Sequence, residues 1–454
     1  MAGVEWTDMR SSSDLRSRAP GLRRKAIQAL ASPQDRHTIG ALRAEAVVLL
    51  LDGRLDEALV RLSQAVELAP GSAVAWSDLA AVRLQRGAAH SDPYDFFLAL
   101  AAANRASHLS PALPAILFNR ALALQRLSLN EPAGEMWRLY QRSERDPHWL
   151  QAGQEHIAAL AQGARRPAPE ARREAVERAV ERGDLRQVRA IVAGSPQIFR
   201  EYVEGDLLVA WAEAVAAHRD GEAQRRLTLA RAIGEALAAS NGERMAADTV
   251  AQIDDLKAHA PRRLPRLVSG IRAYGRGISL IQGGDFANAL APLQTSLRLL
   301  TAEHSPLAGW STYWIAICHY QHFEYPSALA LLSSLTRGDR YRDRYAALHG
   351  QALRTEGIIA IIQGNPAASL TAYQAAMADF RKLGETAYAG KTASLVASSL
   401  DYLGQRSEAW RQLYPALIEP AIRDTPSLRE GLCLTASWLA NEEGEREIAL
   451  SFHD

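Results

Sequence analysis

Three stretches of this 454-residue chain hold residue types that could do chemistry. The run Gly384-Glu385-Thr386-Ala387-Tyr388-Ala389-Gly390-Lys391-Thr392 has the glycines, lysine and threonine of a phosphate-cradling loop. Five residues separate its glycines where that loop needs four, and it follows a helical stretch, Tyr373 to Leu383, where the loop must follow a strand. It reads as a turn between helices. His218-Arg219-Asp220 matches the catalytic tripeptide of kinases, but no glycine-rich loop, strand or metal-binding partner motif surrounds it, so it reads as a helix end. Cys318 and His319 are adjacent, and on a helix such side chains diverge by about 100°, too far to act as nucleophile and base. His319 and His322 share a helix face without the further ligand that zinc needs, and Cys318 reads as buried. No catalytic residue, cofactor or metal is expected.

A fourth group is aromatic. Trp310, Tyr313, Trp314, Ile317 and Tyr320 fall on one helix, with Tyr274 on an earlier one. Such a stripe is either ordinary packing between helices or the anchor row of a binding groove.

The elements that must position these residues repeat. A small residue is followed by Gly seven positions on, Ala twelve on, a large apolar residue sixteen on and a small residue nineteen on. The frame reads Ala46, Gly53, Ala58, Leu62, Ala65; then Gly277, Gly284, Ala289, Leu293, Ser296; then Gly357, Gly364, Ser369, Tyr373, Ala376; and Ala397, Gly404, Ala409, Leu413, Ala416. Small residues let two antiparallel helices approach, Gly supplies a tight turn and the large residue fills the gap. Helical hairpins in an array follow, and their function is that of a surface rather than a catalytic pocket.

Organisation follows from breaks in the frame. Residues 1–20 read as a loose tail, 21–165 as helical repeats, 166–262 as divergent helical repeats, and 263–454 as regular repeats again. The run Gly163 to Pro169 is the clearest linker, and Gly87 to Asp95 reads as a loop inserted into the second hairpin. The last unit starts at Ser437 and reads as truncated, so a partly exposed apolar end formed by Trp438, Leu439, Ile448 and Leu450, with self-association through it, is expected.

A net charge of +1 offers no field for nucleic acid or an anionic membrane, and neither partner is expected. Four lysines among 52 basic residues fit GC-rich coding better than a phosphate-binding patch. Two cysteines, Cys318 and Cys433, cannot make a disulfide framework and suit a reducing compartment. With no signal peptide and no membrane-length apolar run, a soluble cytoplasmic protein is expected.

The frame resembles tetratricopeptide repeats, from about Gly40 onward. The resemblance implies an all-α solenoid of about nine antiparallel helix pairs whose first helices line a concave face. Counting three back from Gly277, Ala316, Gly357 and Ala397 places Tyr274, Tyr313, Arg354 and Ser394 toward that groove, with Trp310, Tyr320, Lys391 and Asp401 near the same stripe. Trp76-Ser77-Asp78-Leu79-Ala80-Ala81, Leu117 to Leu124 and Leu207 to Ala212 also resemble the helical region preceding caspase-like CHAT peptidase domains in bacterial proteins. The two likenesses imply a non-catalytic scaffold that binds a protein or peptide, in bacterial signalling or protease regulation. The alternative is the substrate-sensing arm of a CHAT-type cysteine peptidase.

Overall fold

The computed structural model describes residues 38–161, 168–423 and 425–453. The expected tail 1–20, the helical start at 21 and most of the expected linker 163–169 lie outside them. The described residues are helical throughout, with no strand among them. None of their helices is long and apolar enough to cross a membrane.

Two compact units are formed, one by residues up to 165 together with 405–454, the other by 166–404. In the first lie α1 (Ile39–Leu51), α2 (Leu55–Leu68), α3 (Ala73–His90), α4 (Pro93–Leu109), α5 (Pro114–Arg126), α6 (Asn130–Ser143) and α7 (Pro147–Ala161). The second holds α8 (Pro169–Glu181), α9 (Leu185–Ala193), α10 (Pro196–Glu201), a π-helical segment Tyr202–Leu207 and α11 (Leu208–Ala216). It continues with α12 (Asp220–Asn241), α13 (Met245–His259), α14 (Leu264–Gln282), α15 (Phe286–Ala302), α16 (Ala308–Gln321) and α17 (Tyr325–Thr336). A short α18 (Asp339–Arg344), then α19 (Ala346–Ile362), α20 (Pro366–Leu383) and α21 (Thr386–Tyr402) complete it. The first unit resumes with α22 (Arg406–Ile418), α23 (Pro420–Arg423), α24 (Pro426–Glu442) and α25 (Arg446–Ser451). Sequence neighbours pack as antiparallel hairpins: α1 with α2, α3 with α4, α5 with α6, α14 with α15, α16 with α17 and α19 with α20. The all-α architecture of tetratricopeptide-like helix pairs therefore stands.

The frame has a direct steric cause. A Cβ built on Gly277 would come within 2.5 Å of Leu293, and one on Gly357 within 2.5 Å of Tyr373. The first residue and the one sixteen on thus touch across the hairpin, and the first must be small to leave room for the other. Position seven takes the left-handed turn whatever residue stands there. It is glycine at Gly53, Gly284, Gly364, Gly404 and Gly444, but Ser128, His218 and Phe323 adopt the same sign, with φ of 60°, 54° and 62°. These substitutions hid some turns from a glycine-based reading.

One expectation fails. Gly87 to Asp95 is no protruding loop: α3 continues to His90, Ser91 turns with φ 54°, and Asp92 caps α4 by accepting from the Tyr94 N–H at 3.2 Å. The added residues lengthen the helix, and Gly87 is buried because a Cβ there would meet Phe96 at 2.7 Å. The expected apolar end is covered only in part. Leu439 and Ile448 are buried and Trp438 is half-buried, while Leu450 remains exposed. The reason is that the C-terminal helices pack back on the first unit's own repeats. Trp410 of α22 stacks on Phe97 of α4 with centroids 4.8 Å apart, and Phe452 lies 6.1 Å from Trp410. Glu447 accepts from Arg120 at 2.6 Å, Glu445 from Arg105 at 3.1 Å, and Tyr94 donates to Glu443 at 3.2 Å. A short last helix is held by partners rather than by its own length.

Candidate binding site

The divergent helices of 166–404 face the regular ones across a cavity of about 330 Å³. On one side stand the first helices of successive hairpins. Tyr274, Ile278 and Gln282 recur every four residues on α14, so they share one face, and Trp310, Tyr313 and Trp314 do so on α16. Gln351 and Arg354 come from α19 and Tyr388 from α21. The other side is made by Arg173 of α8, Arg200 and Glu201 of α10, and Glu204, Gly205 and Asp206 of the π segment. A π turn closes over five residues rather than four, as the Leu208 N–H donating to the Val203 carbonyl shows, and such turns re-aim side chains at functional positions.

The floor is a buried charge cluster. Arg200, 3% exposed, donates from Nε and Nη2 to the two oxygens of Glu385 at 2.5 and 3.1 Å, and from Nη1 to Glu204 Oε2 at 3.0 Å. Glu243 stands nearby and accepts from the backbone N–H groups of Met245 and Ala347 at 3.2 and 2.9 Å. One guanidinium thus serves a group of three carboxyls. Burial would lower the Arg200 pKa, but the charges of Glu385 and Glu204 outweigh it and hold the guanidinium well above its ordinary value. Burial pushes Glu204 up to about 8, with Arg200 opposing and Glu243 reinforcing the rise. Glu243 rises to about 7 for the same reason, burial first.

Aromatic rings enclose this floor. Trp310 and Tyr313 meet edge to face at 5.6 Å, and Tyr313 and Trp314 at 5.1 Å. The Arg200 guanidinium lies 5.6 Å from the Trp310 centroid and 5.9 Å from Tyr388, while Arg354 lies 5.7 Å over Tyr388. These distances are within the range of cation–π attraction. Arg173 sits 4.5 Å over Tyr202 and pairs with Asp206 at 3.4 Å. Three buried polar atoms of the lining have no hydrogen-bond partner: Glu204 Oε1, Trp310 Nε1 and Arg173 Nε.

Among the residues singled out from sequence, Tyr274, Trp310, Tyr313 and Arg354 are brought together here, with Trp314 beside them. The first three are 3%, 5% and 4% exposed, so their rings pack between helices and line the cavity at once. Lys391 stands outside the lining, its Nζ 5.8 Å from the Tyr388 centroid. Tyr320, Ser394 and Asp401 do not line it, and Tyr320 lies against Tyr325 of its own hairpin at 6.2 Å. Arg173, Arg200 and Glu204 escaped the sequence reading, and Glu385 and Tyr388 entered it only as part of the glycine–lysine run read as a turn. The four-residue spacing of Arg200 and Glu204 was a visible signal of a helical ion pair. Glu385 lies 185 positions from Arg200, and nothing local announces that pair.

The other sequence motifs resolve as turns. Gly384 caps α20 with φ 69° and α21 begins at Thr386, so the glycine–lysine run spans a turn and a helix. His218 is a left-handed residue after α11. Cys318 is buried, which pushes its thiol up to about 11, and both cysteines are free thiols.

No protein-family profile matches this chain, and no curated protein matches it. Solved structures do. The Cut9 and Hcn1 hetero-tetramer of the APC/C is 13% identical, with 95% of this chain and 94% of that one covered and a TM-score of 0.34. Yeast Tom70 is 13% identical, with coverage of 91% and 90% and a TM-score of 0.30. The TPR domain of P58(IPK) is 14% identical over 91% of each chain, with a TM-score of 0.25.

Proposed function

We propose that this chain is a non-catalytic protein-interaction scaffold and that the cavity of 166–404 holds an extended segment of a protein partner. The observation that carries this reading is the convergence of aromatic and polar side chains from α14, α16, α19 and α21 on one cavity, with buried polar atoms left unpartnered inside it. Aromatic anchors surrounded by a few placed polar groups are what peptide recognition uses, and the volume falls in the range of small-ligand and side-chain pockets. The narrower setting, bacterial signalling or protease regulation in the cytoplasm, rests on the likeness of the α3, α5 and α11 phrases to CHAT-associated helical regions.

A photo-reactive amino acid placed at Arg354 tests the site, with the same group at exposed Arg298 on α15 as its control. A partner segment captured from position 354 and not from 298 is the expected result. Equal capture from both positions would remove the cavity from the binding surface.

A further inference from the structure

Resting on that reading of the cavity, we infer that it takes a basic side chain, a lysine or arginine presented by the partner, with the Glu204 carboxylate as counter-ion. Glu204 is 3% exposed and lines the cavity; its Oε2 accepts from Arg200, and its Oε1 accepts from nothing. The other carboxyls of the cluster are occupied. Both oxygens of Glu385 bind Arg200, and both oxygens of Glu243 bind backbone N–H groups. A buried polar atom without a partner costs free energy comparable to a lost hydrogen bond, and a cationic donor completes Glu204 Oε1 once the carboxyl has given up its proton.

The walls suit a cation. Trp310 and Tyr388 receive the Arg200 guanidinium at 5.6 and 5.9 Å, and Tyr274 and Trp314 add further rings to the same lining. The chain's other cavity cations are engaged: Arg173 with Asp206 and the Tyr202 face, Arg354 with Gln351 Oε1 at 3.0 Å and the Tyr388 face. The unpartnered donors, Trp310 Nε1 and Arg173 Nε, are satisfied by main-chain carbonyl oxygens of the same incoming peptide.

Protonation supplies a signature. Burial raises Glu204 to about 8, so it is neutral near pH 7 in the free protein. The groups around it set that state together: Arg200 and Glu201 on α10, Asp206 on its own π segment, Arg173 of α8 on the same side, Glu243 before α13, Tyr274 on α14, Glu385 before α21, and Arg354 across the cavity. Pairing with a cation requires the carboxylate, so binding near neutral pH releases a proton from Glu204 to the buffer.

The test is selection of random displayed short peptides on the full chain and on its Glu204→Gln variant, with a thermal melt of each. The expected peptides carry a central lysine or arginine, lose affinity with Trp314→Ala and Arg354→Ala, and bind Glu204→Gln about tenfold or more weakly. Calorimetry of one such peptide in two buffers of different ionisation heat should show a proton released, and this measurement on the wild-type chain decides the matter if Glu204→Gln does not fold. Cavity-dependent peptides that lack a basic residue, or acidic ones, overturn the inference and leave the scaffold reading standing, as does basic-peptide binding without proton release. Failure to select any peptide sensitive to Trp314→Ala and Arg354→Ala overturns the scaffold site as well.

Discussion

The cavity floor of the second unit buries charge in a different proportion from the buried ion pairs of the first. In the first, Asp78 is matched by Arg43 at 2.6 Å, and Asp95 lies between Arg86 at 2.8 Å and Arg83 at 3.3 Å, so guanidinium equals or exceeds carboxylate. The second unit follows the same rule away from the cavity, where Glu303 is held by Arg263 at 2.8 Å and Arg266 at 3.1 Å. At the cavity floor the ratio reverses, with one guanidinium among Glu204, Glu243 and Glu385. Structural ion pairs are built to be self-sufficient; a buried excess of acid persists where an outside group completes it.

The largest expected effect comes from removing the shared guanidinium. Arg200→Leu leaves Glu385 and Glu204 without their shared hydrogen-bond donor and cation in a buried site and should destabilise by about 3–5 kcal/mol. Arg43→Leu strands a single carboxyl, Asp78, which burial already raises to about 6, and should cost about 1–3 kcal/mol. Urea unfolding of the two variants measures both, and equal losses would dissolve the contrast.

pH separates the units next. A carboxyl whose folded pKa is raised ionises first in the unfolded chain, so its contribution is present below the unfolded pKa and is lost as pH climbs to the folded value. For Asp78 that window runs from 3.8 to about 6, and for Glu204 from 4.5 to about 8. The folding constant should therefore fall by at least about tenfold as pH rises through the upper window. Glu204→Gln should reduce the fall across its window and remove most of it above pH 7, where Glu243, raised to about 7, no longer contributes; Asp78→Asn should reduce only the part below about 6. A pH profile of unfolding midpoints in which Asp78→Asn flattened the upper range would break the assignment.

Packing gives a smaller contrast. Gly357→Ala in the second unit must displace Tyr373 and should destabilise by about 1–3 kcal/mol. Gly134→Ala in α6 of the first unit meets no atom within 4 Å and should stabilise by roughly 0.5–1 kcal/mol through helix propensity. Thermal unfolding distinguishes the signs.

The smallest effect is at the turn where a phenylalanine replaces glycine. Phe323 is 76% exposed with φ 62°, so its side chain gains little while its backbone is strained. Phe323→Gly should raise stability by about 0.5–1 kcal/mol, and Ser128→Gly in the first unit by less. A melt in which Phe323→Gly lowers stability would mean that its contact with Tyr325, at 6.3 Å between centroids, matters more than the backbone.

By itself the sequence determined the all-helical character, the glycine turns of the regular repeats and the facing of Gly357 and Tyr373, because these depend on residues sixteen or fewer positions apart. It also placed Tyr274, Tyr313 and Arg354 on corresponding faces, since helical periodicity carries a residue's direction as far as its own helix is regular. Tertiary structure alone decided that Arg200 would meet Glu385, that a π turn would aim Glu204 into the cavity, and that Trp410 would stack on Phe97 across 313 positions of chain. Each of those is a meeting of elements distant in sequence. Such meetings are set by how whole hairpins pack, and no local spacing encodes them.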